Sequence, residues 1–245
     1  MFKRNFIVII LAAVAALTVG AQEPGGQRFI NLDVHALAGG SYTTNNYMDC
    51  FSEISDMNSS MGPSFGLGVG AALRLGSHWS LGTEANFSRN SRRMDLAVAG
   101  AGKPSVSNVF QRNSYWEIDV PLYMRWRMAM GDNIDWSVDL GMYYAYGTGG
   151  TQRNTIYDAK TNDLGQLITT RTNLESGYYN DAGALVNSYR RGDIGFHIAT
   201  ALTFARHFTV GVRTHLGLKN VAYSRGIVDP SCHNITIHGV MGWRF

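Results

Sequence analysis

The stretch Tyr115–Tyr146, YWEIDVPLYMRWRMAMGDNIDWSVDLGMYYAY, decides the fold. Taken by alternate residues, Trp116, Ile118, Val120, Leu122, Met124 and Trp126 share one face, and Glu117, Asp119, Pro121, Tyr123, Arg125 and Arg127 share the other. A side-chain period of two marks a strand. After Met-Gly-Asp-Asn the pattern restarts in the same sense. Ile134, Trp136, Val138, Leu140, Met142 and Tyr144 are apolar, opposed by Asp135, Ser137, Asp139, Gly141 and Tyr143. The segment reads as a hairpin with one oily and one charged side. Each arm runs about 11 or 12 residues, the length that crosses a bilayer at a tilt.

Working outward, the same alternation predicts strands over Phe29–Ala38, Ser64–Leu75, Trp79 to about Ser88, Arg191–Phe204, Phe208–Leu218 and Ile235–Phe245. Tight turns fall at Gly76-Ser77-His78 and Ala205-Arg206-His207, and long polar connections at 39–62, 89–113 and 147–190, with a further loop through Cys232. Connections that alternate long and short around eight strands predict an all-β, eight-stranded antiparallel transmembrane β-barrel of the outer-membrane type. Both termini then lie on the short-turn, periplasmic side. Trp79, Trp126, Trp136 and Trp243 sit on apolar faces at turn-side ends and, with Phe245, predict a periplasmic aromatic girdle.

The first residues predict export. Lys3 and Arg4 precede an apolar run from Phe6 to Val19, and Val19-Gly20-Ala21 offers small residues for cleavage. Residues 1–21 read as a signal peptide and 22–245 as one barrel domain, placed in the cell outer membrane. Without Lys3 and Arg4 the chain carries 19 basic and 18 acidic residues, which argues against nucleic acid as a partner. Cys50 and Cys232 fall in the first and last outward loops, neighbours once a barrel closes, so a Cys50–Cys232 disulfide is a candidate and two unpaired thiols the alternative.

Glu117-Ile118-Asp119-Val120-Pro121-Leu122-Tyr123-Met124-Arg125, preceded by Phe65-Gly66-Leu67-Gly68-Val69-Gly70, resembles the outer-membrane β-barrel domain common in Bacteroidetes, a group that includes the PorT-like proteins. The chain departs from the tighter pattern by holding Ile118-Asp119-Val120 between Glu and Pro. The resemblance implies an outer-membrane barrel and, for PorT-like members, a part in type IX secretion; it implies no active site.

The inward faces are expected to carry a charge network of Asp33, Arg74, Glu84, Glu117, Asp119, Arg125, Arg127, Asp135, Asp139, Asp193, Arg213 and Arg244, with His35, His197, His215 and His238 among them. An eight-stranded barrel is just wide enough for side chains to fill. Charges with little water must be paired, so the network reads as a salt-bridge plug, with a narrow polar conduit as the alternative. The four histidines read as satisfied lumen residues rather than metal ligands. Gly66, Gly68 and Gly70 alternate within a strand, so they are not a dinucleotide fingerprint and instead open room in the lumen. A lipid-facing hydrolase needs a nucleophile, a histidine and a carboxylate together. Outward positions offer chiefly Thr83, Thr200 and Thr214, without a histidine or acid, so no catalytic residue, metal or cofactor is expected.

Three function classes stay open: a non-enzymatic structural or interaction scaffold, a small ion or solute pore, and a lipid A-modifying enzyme. The scaffold leads, with Tyr42, Tyr47, Tyr157, Tyr178, Tyr179 and Tyr189 as contact residues. Its expected partners are outer-membrane lipid, the barrel assembly machinery, and envelope or secretion proteins reached through 39–62, 89–113 and 147–190.

Overall fold

The structure, a computed structural model, describes residues 29–99, 105–179, 188–223 and 229–245; the signal-peptide segment 1–21 lies outside them. Its strands are β1 (Ile30–Asn45), β2 (Ile54–Arg74), β3 (Trp79–Ala99), β4 (Ser105–Ala129), β5 (Ile134–Thr161), β6 (Leu167–Gly177), β7 (Ser188–Tyr189), β8 (Gly192–Phe204), β9 (Phe208–Gly217), β10 (Ala222–Tyr223) and β11 (Cys232–Arg244). A single helical turn, α1 (Tyr47–Cys50), follows β1. Eight strands close a ring in the order β1-β2-β3-β4-β5-β8-β9-β11, each antiparallel to its neighbours, and β11 returns to β1 from Asp33↔Arg244 to Asn45↔Cys232. β6 lies outside the ring on the far half of β5, and β7 pairs with β10 and, through Tyr189, bridges Tyr179.

The ring is inside out for a water-soluble protein. Leu67, Leu122, Leu140, Met142, Phe196, Val212 and Met241 are exposed around its outside, while His35, Glu84, Asp119, Arg125, Asp139, His197 and Arg213 are buried within it. Such burial is stable only where lipid replaces water at the outer face. Trp116 and Trp126, ten residues apart on the outer face of β4, bound the oily belt. At about 3.3 Å per residue and a tilt near 45° the span is roughly 23 Å, close to the apolar band of an outer-membrane barrel.

The belt ends short of the strands. β4 and β5 are 25 and 28 residues long, far more than a bilayer requires. Much of what the sequence marks as loop is strand: β1 and β2 take up most of 39–62, β3 and β4 most of 89–113, and β5 and β6 much of 147–190. The reason is that polarity inverts beyond the rim. On β3, Glu84, Asn86 and Asn90 face inward under the belt, but Met94 and Leu96 face inward above it, with Arg93 and Asp95 turned out. The period of two persists while its amphipathic sense reverses.

The short connections fall where expected. In the β2–β3 and β4–β5 turns, Leu75 N–H donates to Trp79 O (3.0 Å) and Met130 N–H to Ile134 O (2.8 Å). The β8–β9 turn sets Ala205 and Arg206 at φ +48° and +67°, a left-handed conformation that costs a residue with a side chain roughly 1–2 kcal/mol. Inside the barrel, small residues make room for large ones across the ladder. A Cβ on Gly68 would lie 2.0 Å from Asn86 Oδ1, and one on Gly82 would lie 2.4 Å from the Tyr123 ring.

Two predictions follow from this geometry. Leu122→Arg, at the middle of the belt, is expected to destabilise folding into lipid vesicles by roughly 2–4 kcal/mol, whereas Thr155→Arg, on β5 above the rim, should change it by under about 0.5 kcal/mol; equal effects in urea titrations would place the belt wrongly. Replacing Ala205-Arg206 with Asn-Gly, the pair suited to two left-handed positions, should stabilise the barrel by about 1–2 kcal/mol in the same assay.

Candidate functional site

The interior has two layers built by different chemistry. Within the belt it is a polar network. Glu84 on β3 is its hub: it accepts from the Arg213 guanidinium on β9 and from Tyr123 OH (3.0 Å), and His35 Nε2 stands 3.5 Å away. Arg125 clamps Asp139 on the next strand with two bonds of 2.7 Å, and its Nη2 donates to Tyr123 OH (3.1 Å). His35 bridges Asp33 and Asn86 at 2.7 Å each, and Asn86 passes the chain on to Asp119 (2.8 Å). Six members of the expected network, Asp33, Glu84, Asp119, Arg125, Asp139 and Arg213, are thereby linked. Glu117 and Asp193 hold the upper end, where Asn90 donates to Glu117 (2.5 Å), and Asn234 (2.9 Å) and Tyr143 (3.2 Å) donate to Asp193.

Arg74 is a correction: its guanidinium donates to the Gly76 carbonyl at the β2–β3 turn (2.9 Å), outside the network. Arg127, Asp135 and Arg244 sit toward the same end, and none is in an ion pair among the described residues. A cavity of about 40 Å³, room for a few waters, lies between Asp33, His35, Glu84, Arg125, Asp139 and Arg213. His197 and His215 bond to each other (2.9 Å) and stack on Tyr123 and Tyr143, and His238 bonds to Ser64 (2.6 Å). Among the described residues no three metal-binding groups converge.

Beyond the rim the interior becomes an aromatic plug, which sequence reasoning missed. Tyr115 stacks on Tyr178 (4.5 Å), and Tyr178 on Tyr189 (4.6 Å). The buried Arg92 guanidinium stands 4.7, 5.4 and 5.2 Å from the centroids of Tyr115, Tyr178 and Tyr189, a desolvated cation held by ring faces. Met94, Leu96, Val109, Tyr47, Val221 and Ala222 complete the cluster. Tyr47, Tyr178 and Tyr189, expected as contact residues, are therefore core. The period-two signal around Met94 and Val109 was present, but its reversed sense disguised it.

Of the two readings of the cysteines, the structure has the unpaired one, with Cys50 and Cys232 both free. Cys232 is buried under α1, where its Sγ donates to Tyr47 OH (3.2 Å). At the turn side Trp79 is in register with Trp126, Trp126 meets Trp136 edge-on at 5.7 Å, and Trp243 is in register with Phe208 and stacked by His207 at 5.3 Å. Phe245 is exposed beside them. Two of the outward threonines, Thr83 and Thr200, are engaged as well. Thr83 Oγ1 donates to Pro121 O (2.9 Å), and Thr200 Oγ1 donates to Ser137 O (3.2 Å) and accepts from Trp136 Nε1 (2.8 Å).

Burial holds the Tyr47, Tyr178 and Tyr189 phenols above the ordinary tyrosine value, and the Arg92 charge, which acts the other way on Tyr178 and Tyr189, does not reverse this. A raised folded-state pKa means the plug's contribution is intact below the unfolded value of about 10 and is lost as pH rises past it. Phenolate absorbance of these tyrosines should thus appear only as the plug opens. Tyr178→Phe/Tyr189→Phe should shrink the late phase to the share of Tyr47 and the other buried tyrosines, and titration near pH 10 with tertiary structure unchanged would show the plug to be wet.

No curated protein matches the chain in sequence. Among solved structures it is similar to Ail, the attachment invasion locus protein of Yersinia pestis, at 9% identity over 88% of this chain and 99% of that one, with a TM-score of 0.37. It is also similar to OprG of Pseudomonas aeruginosa at 10% identity over 87% and 95%, with a TM-score of 0.35. The family model described as outer membrane protein beta-barrel domain matches residues 21–223, nearly all of the ring and the sheet above it, and the chain belongs to that family of outer-membrane barrels.

Proposed function

We propose that the protein is a sealed, non-enzymatic outer-membrane scaffold that works through the sheet it raises beyond the lipid, with the short turns and both chain ends toward the periplasm. The observation that carries this reading is the sheet itself. β2, β3, β4, β5 and β6 continue hydrogen-bonded past the aromatic rim and finish on β6, which pairs with β5 and with no other strand among the described residues. β6 is exposed along most of its length, including Leu167, Ile168 and Leu174. A strand edge with free N–H and C=O groups is a template for an added strand, and soluble folds usually blunt such edges.

The filled lumen and the plug support a scaffold over a pore: among the described residues the ion pairs leave room for only a few waters, and Arg92 with its tyrosines stands above them. The engagement of Thr83 and Thr200 with backbone carbonyls favours a scaffold over a lipid A-modifying enzyme. The partner class is an envelope protein that offers an extended segment to β6. A secretion component, as for PorT-like barrels of Bacteroidetes, is the specific case.

Ile168→Lys/Thr170→Lys is expected to reduce what co-purifies with the tagged barrel from mild-detergent outer membranes at least tenfold, with barrel assembly unchanged. Recovery of the same envelope proteins with the variant would remove β6 as the docking edge. Planar-bilayer recordings of the wild type should show no channel steps, and steady openings that change with Arg125→Ala would favour the pore.

A further inference from the structure

The outer face of the raised sheet carries a row of arginines that the scaffold reading leaves unused. In register across three strands, Arg93 on β3 faces Arg112 on β4, and Arg112 faces Arg153 on β5. All three are exposed. The row ends at Glu175 on β6, which sits opposite Arg153 with its Oε2 3.2 Å from Arg153 Nε; neither Arg93 nor Arg112 is in an ion pair among the described residues. Directly opposed side chains on an antiparallel pair have Cβ atoms only about 5 Å apart, and like charges there are destabilising. A chain that keeps three such arginines in one row keeps a site for an anion.

The surroundings say which anion. Arg89 stands nearer the belt on the same face, with its guanidinium 6.0 Å from the Phe65 ring and 5.8 Å from the Trp116 ring. Arg171 shares the face on β6, over Tyr157 at 5.8 Å. From β3 to β6 the face above the rim thus holds five arginines against two carboxylates, Asp95 and Glu175. Arg112 lies four residues beyond Trp116 on β4, about 13 Å along the strand and roughly 9 Å along the membrane normal. That is the height of lipid head groups, within reach of a long side chain bending toward the interface. Guanidinium forks match phosphate oxygens with paired hydrogen bonds.

We propose that Arg93, Arg112 and Arg153 bind the phosphates of polyphosphorylated lipid head groups in the leaflet around the long-strand end of the barrel. Each guanidinium donates to a phosphate oxygen, and the bound anion relieves the repulsion along the row. The proposal rests on the raised end of the barrel leaving the membrane, not on β6 as a docking edge, so the two readings fail separately.

The test uses the full barrel in neutral detergent and in phosphatidylcholine nanodiscs, titrated with lipid A bearing both phosphates and followed by native mass spectrometry and fluorescence. At about 1 kcal/mol per surface arginine, R93Q/R112Q/R153Q should weaken binding on the order of a hundredfold and R112Q alone about fivefold. R93K/R112K/R153K should lose less than the glutamine triple, and added salt should weaken the wild type. The glutamine triple should melt no lower than the wild type, since it removes like-charge contacts. The single R112Q carries the test if the triple fails to assemble. Unchanged lipid binding by R112Q and the triple would overturn the proposal, as would equal binding of lipid A stripped of phosphate. Inositol hexakisphosphate binding as tightly as the lipid would overturn the lipid assignment and leave a site for free anions.

Discussion

Closure of β11 on β1 is the constraint on which the rest depends. In hydrocarbon an unpaired backbone group costs several kcal/mol, so a strand that crosses lipid must find partners on both edges. The ladder from Asp33↔Arg244 to Asn45↔Cys232 supplies the last set and leaves the belt without an edge. Closing eight strands then fixes a bore only a side chain or two wide. Glycines where neighbours are bulky, polar residues inside and apolar residues outside all follow. Even Pro121 conforms. It has no N–H to give, the β3–β4 register has no pairs between Thr83↔Leu122 and Asn86↔Asp119, and Thr83 Oγ1 bonds its carbonyl instead.

A bore that narrow cannot hold scattered charges. Glu84 and Arg213 come from strands that are not neighbours in the ring, so their contact reaches across the lumen, while Arg125 and Asp139 lock two adjacent strands. Such pairs contribute little net stability over an apolar filling, yet breaking one leaves a buried charge that costs about 3–5 kcal/mol. Their role is selectivity of arrangement: an altered register would separate Glu84 from Arg213, Tyr123 and His35 together. That makes the network a structural element, with room for only a few waters between its charges.

The ring was legible because lipid imposes a rule on sequence. Trp116 to Trp126 alternates without exception, and the turns at 76–78, 130–133 and 205–207 fall where alternation breaks. The raised sheet was not legible for the complementary reason. Beyond the rim both sides of a strand meet protein or water, so Leu167–Gly177 shows polar residues on each face and carries no amphipathic contrast. Tyr178 and Tyr189 stand in a polar stretch of sequence; what buries them is Arg92, Tyr115 and Val109 from strands far away in sequence. Pairings among lumen charges were unreadable too, since height within the bore depends on shear between strands and not on position along any one of them.

The outward change from apolar to polar residues at the rim of β3 and β4 also fixes the barrel's height in the membrane. Were the belt alone decisive, a tall apolar cylinder could slide by a residue or two at little cost. Here, lowering the barrel by one pleat toward its turn side would draw Ser91 and Ser114 into the interface, and lowering it by two would draw in Arg93 and Arg112, each an unfavourable transfer. Raising it would expose Phe65, Phe87 and Trp116 to water, where Phe87 and Trp116 now stack at 4.9 Å. The aromatic plug around Arg92, with buried Gln111, Asn113, Gln152 and Asn154 beside it, thus lies directly above the charged lumen, beyond the depth where lipid demands an apolar exterior. A single barrel thereby carries two folds end to end, one turned outward for lipid and one turned inward like a soluble sheet, and the rim of Trp116 and Arg89 is the joint between them.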